Sequence, residues 1–131
     1  MIKAKLPTLN EVIAANRRNK YNGNKFKKEI EELIGWYIKQ AQVVGSLSKI
    51  EEPVDILIDF YERTAKRDVY NIQSSQKFII DALVRNGILK NDGQRYVKNV
   101  YHRVMKGDTD HAIVTMYPAE QIKLTIEGEE I

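Results

Sequence analysis

Residues 67–93 read R-D-V-Y-N-I-Q-S-S-Q-K-F-I-I-D-A-L-V-R-N-G-I-L-K-N-D-G, and only there do acids, an amide and a lysine gather around one well-marked helix. Ser74 and Ser75 can cap a helix start, Phe78, Ile79, Ala82 and Leu83 follow at helical spacing, and Asn86-Gly87 supplies a left-handed stop, so the pattern predicts a helix over 75–86. Asp68 is expected to end a strand-like run before that helix and Asp92 to lie in the short loop after it. Two carboxylates would then meet near one end of a sheet. Lys77 and Asp81 are four residues apart, on one face and beside the apolar stripe. The lysine precedes the acid, an order the helix dipole disfavours, so helix stabilisation explains the pair poorly and a functional role gains.

The elements that must position these groups follow from hydrophobic period. Ile2, Ala4 and Leu6 alternate with basic residues as a short strand over 2–6, and Thr8 to Glu11 fits a capping box for a short helix ending near Ala15. Residues 16–24 read as an exposed basic loop. Phe26, Ile30, Leu33, Ile34, Tyr37, Ile38, Ala41 and Val44 form a sustained stripe, which predicts a helix over 25–44 packed across a sheet, with Trp36 and Tyr37 as core or dimer contacts. Val54, Ile56, Ile58 and Phe60 alternate with acids over 54–61, a half-buried strand in which Asp55 and Asp59 are expected to face solvent. Residues 96–105 and 111–117 read as strands joined by the turn at 106–110 into a hairpin, and 121–126 as a last strand. The expected class is α+β: a mixed, largely antiparallel sheet of about four strands with two main helices on one face.

A chain of 131 residues with 43% hydrophobic and 30% charged side chains suits a single soluble domain spanning 1–131 and not a disordered one. There are no cysteines, which excludes disulfides and thiolate metal sites, and no apolar run of membrane-spanning length, so a cytoplasmic protein is expected. P-loop, dinucleotide-binding and serine-hydrolase signatures are absent from the sequence. Without a cysteine or a second histidine at ligand spacing, His102 and His111 give little support to a zinc site. The net charge of +3 is unevenly spread: Arg17, Arg18, Lys20, Lys25, Lys27 and Lys28 occur with no acid among them, whereas Glu127, Glu129 and Glu130 sit near the end. Such a block can contact phosphates in a salt-dependent, sequence-independent way, or merely be solvated.

The box at 67–93 resembles that of the RusA-type endodeoxyribonucleases, which resolve Holliday junctions and are often carried by prophages. The resemblance rests on Arg67-Asp68, Asn71, Lys77, Asp81-Ala82-Leu83 and Asn91-Asp92 followed by Gln94, and extends weakly to Leu6-Pro7-Thr8-Leu9-Asn10 and to the strand-rich tail. It implies a Mg²⁺-dependent enzyme, with Mn²⁺ as a substitute, that cuts branched DNA as a homodimer. Asp68 and Asp92 would ligate the metal, Asp81 would complete or buttress the site, and Lys77 would stabilise developing phosphate charge or orient water. Asn71 would hold the loop or a phosphate, and Arg67 with the basic block would contact DNA. Two departures stand out. Tyr70 occupies the position of the family's second box aspartate, read as packing over the sheet or as hydrogen-bonding a water or phosphate, and the interval from Asn71 to Lys77 is longer than in the shortest members. A binder of branched DNA with weakened or lost catalysis is the alternative.

Overall fold

The computed structural model describes residues 20–119. The strand expected over 2–6, the helix ending near Ala15, the last strand over 121–126, Arg17 and Arg18 lie outside the described residues.

Helix α1, Lys20–Val43, is the long amphipathic helix expected from the apolar stripe, but it begins at Lys20 and so takes in part of the stretch read as a basic loop over 16–24. Ile34 and Ile38 are its buried side chains, and Ile30 and Tyr37 pack at the edge of the core. Burial of each large aliphatic side chain stabilises by about 1.5–3 kcal/mol. The helix ends where Gly45 takes φ 78, with Ser46 N–H donating to the Ala41 carbonyl and Gly45 N–H to that of Gln42, a Schellman stop.

Strand β1, Val54–Glu62, follows. Then come two consecutive helices, α2 (Val69–Gln73) and α3 (Gln76–Arg85), the strand β2 (Val97–Lys106) and the strand β3 (His111–Pro118). Among the described residues the sheet has three strands in the order β2-β1-β3, with β1 parallel to β2 and antiparallel to β3, so the fold is α+β with a mixed sheet. Val54, Ile56, Ile58 and Phe60 on one face of β1 join Ile34 and Ile38 of α1, Ile72 of α2, and Phe78, Ile79, Ile80, Ala82 and Leu83 of α3 in one core. Among the described residues no helix is long and apolar enough to cross a membrane.

The strands β2 and β3 do not form the expected hairpin, because β1 lies between them. Four residues separate them in sequence, enough to span two strand spacings of about 4.8 Å. The connection arches over the end of β1 and is tied to it: Gly107 N–H donates to the Glu62 carbonyl at 3.1 Å, and Arg63 N–H to Asp110 Oδ1 at 2.8 Å. A Cβ at Gly107 would lie 3.0 Å from Tyr61 Cβ, a tight contact that glycine avoids.

The central position of β1 also corrects the reading of its acids. Asp55 is fully buried and Asp59 nearly so, although both sit on the face away from the core aliphatics. The parallel register sets Asp55 beside Asn99 and Asp59 beside Arg103. Asn99 Nδ2 donates to Asp55 Oδ1 at 2.9 Å, and Arg103 makes a two-pronged contact with Asp59 at 2.6 and 3.0 Å. Alternation assigned the face correctly but not the burial: Asn99 and Arg103 of β2 lie against the two acids, and buried carboxylates persist where they have donors.

Candidate functional site

The stretch between β1 and β2 folds as two helices where the pattern predicts one. Asp68 does not end a strand: β1 stops at Glu62, and Asp68 is the exposed N-cap residue of α2, with extended backbone and no side-chain capping bond. Ser74 and Ser75 do not cap α3 with their hydroxyls. They reach back to close α2, with Ser74 Oγ donating to the Asn71 carbonyl at 2.5 Å and Ser75 Oγ to that of Ile72 at 2.9 Å. Asn71 is half-buried on this short helix, which rests on β2.

The next helix carries Lys77 and Asp81 one turn apart, with Nζ 3.5 Å from Oδ2; the lysine side chain is 70% exposed and that of Asp81 32%. Its C-terminus is the predicted one: Gly87 takes φ 76, Ile88 N–H donates to the Leu83 carbonyl and Gly87 N–H to that of Val84. Ile88 and Leu89 then plug into the core and fix the start of the loop that bears Asp92. Asn91 Oδ1 accepts from Gly93 N–H at 2.8 Å, and the Gly93 carbonyl accepts from both Tyr96 and Val97 N–H as β2 begins.

This folding brings Lys77, Asp81 and Asp92 to one cleft of about 370 Å³, completed by Gln76, Ile80, Val97, Lys98 and Val100. Two carboxylates and two ammonium groups thus share an open site between α3 and β2. Asp68 and Asn71 are not among its lining residues, although their helix rests on the same strand. Lys98 and Gln76 were not singled out from sequence: Lys98 sits in a strand whose faces are mixed in character, and Gln76 looks like an ordinary first-turn residue. The Gln76 Oε1 atom is buried and has no hydrogen-bond partner among the described residues.

Among the described residues no three His, Cys, Asp or Glu side chains form a group able to hold a metal ion. The donors in the cleft suit a hydrated divalent cation taken through one or two carboxylates, with waters and a phosphate completing the shell. Tyr70 does not pack over the sheet; its side chain is 71% exposed, beside Val69 at 53%. Arg67, offered as a DNA contact, is engaged with Glu62: Nε donates to Oε1 at 2.7 Å and Nη2 lies 2.5 Å from the same oxygen, with 12% and 9% of the two side chains exposed. Lys25, Lys27 and Lys28 are exposed on α1, Lys28 lying 4.0 Å from Glu32, and Lys20 belongs to the first turn of the same helix.

No protein-family model matches the chain, and no curated protein matches it either. Geometry and residue chemistry therefore carry the functional reading.

On the core face of β2, His102 stacks on Phe60, with ring centroids 6.1 Å apart and planes 22° apart. Its Nε2 is buried and has no hydrogen-bond partner among the described residues, and desolvation lowers its pKa below the usual histidine value.

Proposed function

We propose that this protein is a Mg²⁺-dependent, structure-specific endodeoxyribonuclease that acts as a homodimer in the cytoplasm and resolves four-way DNA junctions by paired nicks. The observation that carries the reading is that Lys77, Asp81 and Asp92, three residues matching the RusA-type box, line one cleft although they come from a helix and a loop. Asp92 and Asp81 would hold the divalent ion together with the scissile phosphate, and Asp68 would approach from α2. When bound, such an ion polarises the phosphoryl oxygen and makes water a better nucleophile. Lys77 and Lys98 would place positive charge where the phosphate develops negative charge. Two copies related by a two-fold axis would match the two-fold symmetry of a junction and cut two strands.

The test is incubation of a synthetic four-way junction with the protein in Mg²⁺ or Mn²⁺. Paired product strands are expected from the wild type, and Asp92→Asn is expected to bind the junction without nicking it. Undiminished cleavage by Asp92→Asn would remove the proposed role.

A second reading, a branched-DNA binder with weakened catalysis, is favoured by the exposed Tyr70 at the box position and by the absence of a three-carboxylate group among the described residues. A shifted but intact complex from the wild type would support it. So would a large gain in nicking by Tyr70→Asp.

A further inference from the structure

We infer that Gln76 is a positioning residue of the cleft, whose side-chain oxygen accepts a hydrogen bond from a water of the divalent cation held by Asp81 and Asp92, an assignment that rests on the metal-dependent reading above. Gln76 opens α3 and lines the same cleft as the two carboxylates. Its Oε1 is buried, and no described residue donates to it. An acceptor cut off from water and left without a donor destabilises a fold, so the group is explained by a donor that a ligand brings.

The chemistry of the cleft decides which ligand. Ionised Asp81 and Asp92 are acceptors themselves and have no proton to give Gln76. Lys77 has its Nζ 3.5 Å from Asp81 Oδ2, and Lys98 shares the cleft without donating to Gln76. Three acceptor side chains in one cleft suit a cation that keeps part of its hydration shell, as Mg²⁺ does: the carboxylates take the ion and the amide oxygen takes one of its waters. A phosphodiester has only acceptor oxygens, so the substrate phosphate does not replace that water. The start of the helix is fixed beneath the side chain. Ser75 is buried, its Oγ donates to the Ile72 carbonyl at 2.9 Å, and its own carbonyl accepts from Phe78 N–H at 3.1 Å. Gln76 is thus carried on a rigid turn, as a residue that orients a water must be.

The experiment titrates the metal-free protein with Mn²⁺ in place of Mg²⁺, reading bound ion by electron paramagnetic resonance, and records the melting midpoint without metal. Gln76→Met removes the acceptor at nearly constant shape, Gln76→Glu keeps an acceptor, and Asp92→Asn weakens the carboxylate pair. The wild type and Gln76→Glu are expected to bind the ion, Gln76→Met about tenfold more weakly, and Asp92→Asn more weakly still. Without metal, Gln76→Met is expected to melt at or above the wild-type midpoint, since an orphan acceptor is gone. A lower midpoint would show that Oε1 is satisfied within the fold and would overturn the inference. So would equal Mn²⁺ affinity of Gln76→Met and wild type, or a wild type that takes up no Mn²⁺. Ion uptake that depends on Gln76 and Asp92, without any nicking of a junction, would sink the nuclease reading alone. Junction nicking by the wild type, with Gln76→Met binding Mn²⁺ equally well, would sink the Gln76 assignment alone.

Discussion

Arg67 and Glu62 meet with little water around either side chain, and this decides what the arginine does. Removing one partner of a buried ion pair leaves an uncompensated charge, a change that costs about 3–5 kcal/mol. Arg67→Ala is therefore expected to lower the unfolding free energy by about 3 kcal/mol in a denaturant titration; an unchanged midpoint would show that the pair is not structural. His102 gives a pH-dependent expectation. Its folded-state pKa lies below the unfolded value of about 6.5, so between the two the unfolded chain binds more protons. Its contribution is present above about pH 6.5 and is lost as pH falls through that value toward the folded pKa. Comparing the stability–pH curves of wild type and His102→Leu should show a shallower fall for the variant over that interval, and parallel curves would refute the assignment. Neither role was legible beforehand: Arg67 looked like a surface cation because its partner ends a different element, and the packing of His102 depends on Phe60 across the sheet.

At the scale of elements, the chain's punctuation was largely readable. Gly87 was expected as a left-handed stop and takes φ 76, with open space where a Cβ would lie. The cost of Gly87→Ala is thus conformational, and about 1 kcal/mol of destabilisation is expected from thermal or chemical unfolding. A neutral substitution would mean that the turn can relax. The long helix α1 and the strand β1 were legible because their apolar periods are sustained and unambiguous. The short helix α2 was not, since five residues carry too little periodicity to be seen. Ser74 and Ser75 misled for a related reason: a hydroxyl that can cap the next helix can equally close the previous one, and the choice is made by the buried placement of Ser75.

At the scale of the molecule, Lys25, Lys27 and Lys28 are exposed near the start of α1. If they contact phosphates, replacing all three by alanine should weaken binding to every DNA alike and reduce the slope of log K against log salt by about 2–3, as measured by anisotropy over a salt series. An unchanged slope would mark them as solvated bystanders. The cleft itself is a product of topology. The crossover from β1 through α2 and α3 into the parallel strand β2 lays Lys77 and Asp81 against the loop that enters β2, and so against Asp92.

The α+β class, the long helix, the central strand and the helix stops came from residue types and short-range periodicity, because those properties are local; the candidate set of Asp68, Asn71, Lys77, Asp81 and Asp92 came from a resemblance of motif, and only Lys77, Asp81 and Asp92 of it line one cleft. Only the tertiary structure decided that β1 lies between β2 and β3, that Asp55 and Asp59 are buried with Asn99 and Arg103, and that Tyr70 points to water. These depend on which strands pair and in what register, and a period of two residues assigns a side chain to a face without saying what covers that face.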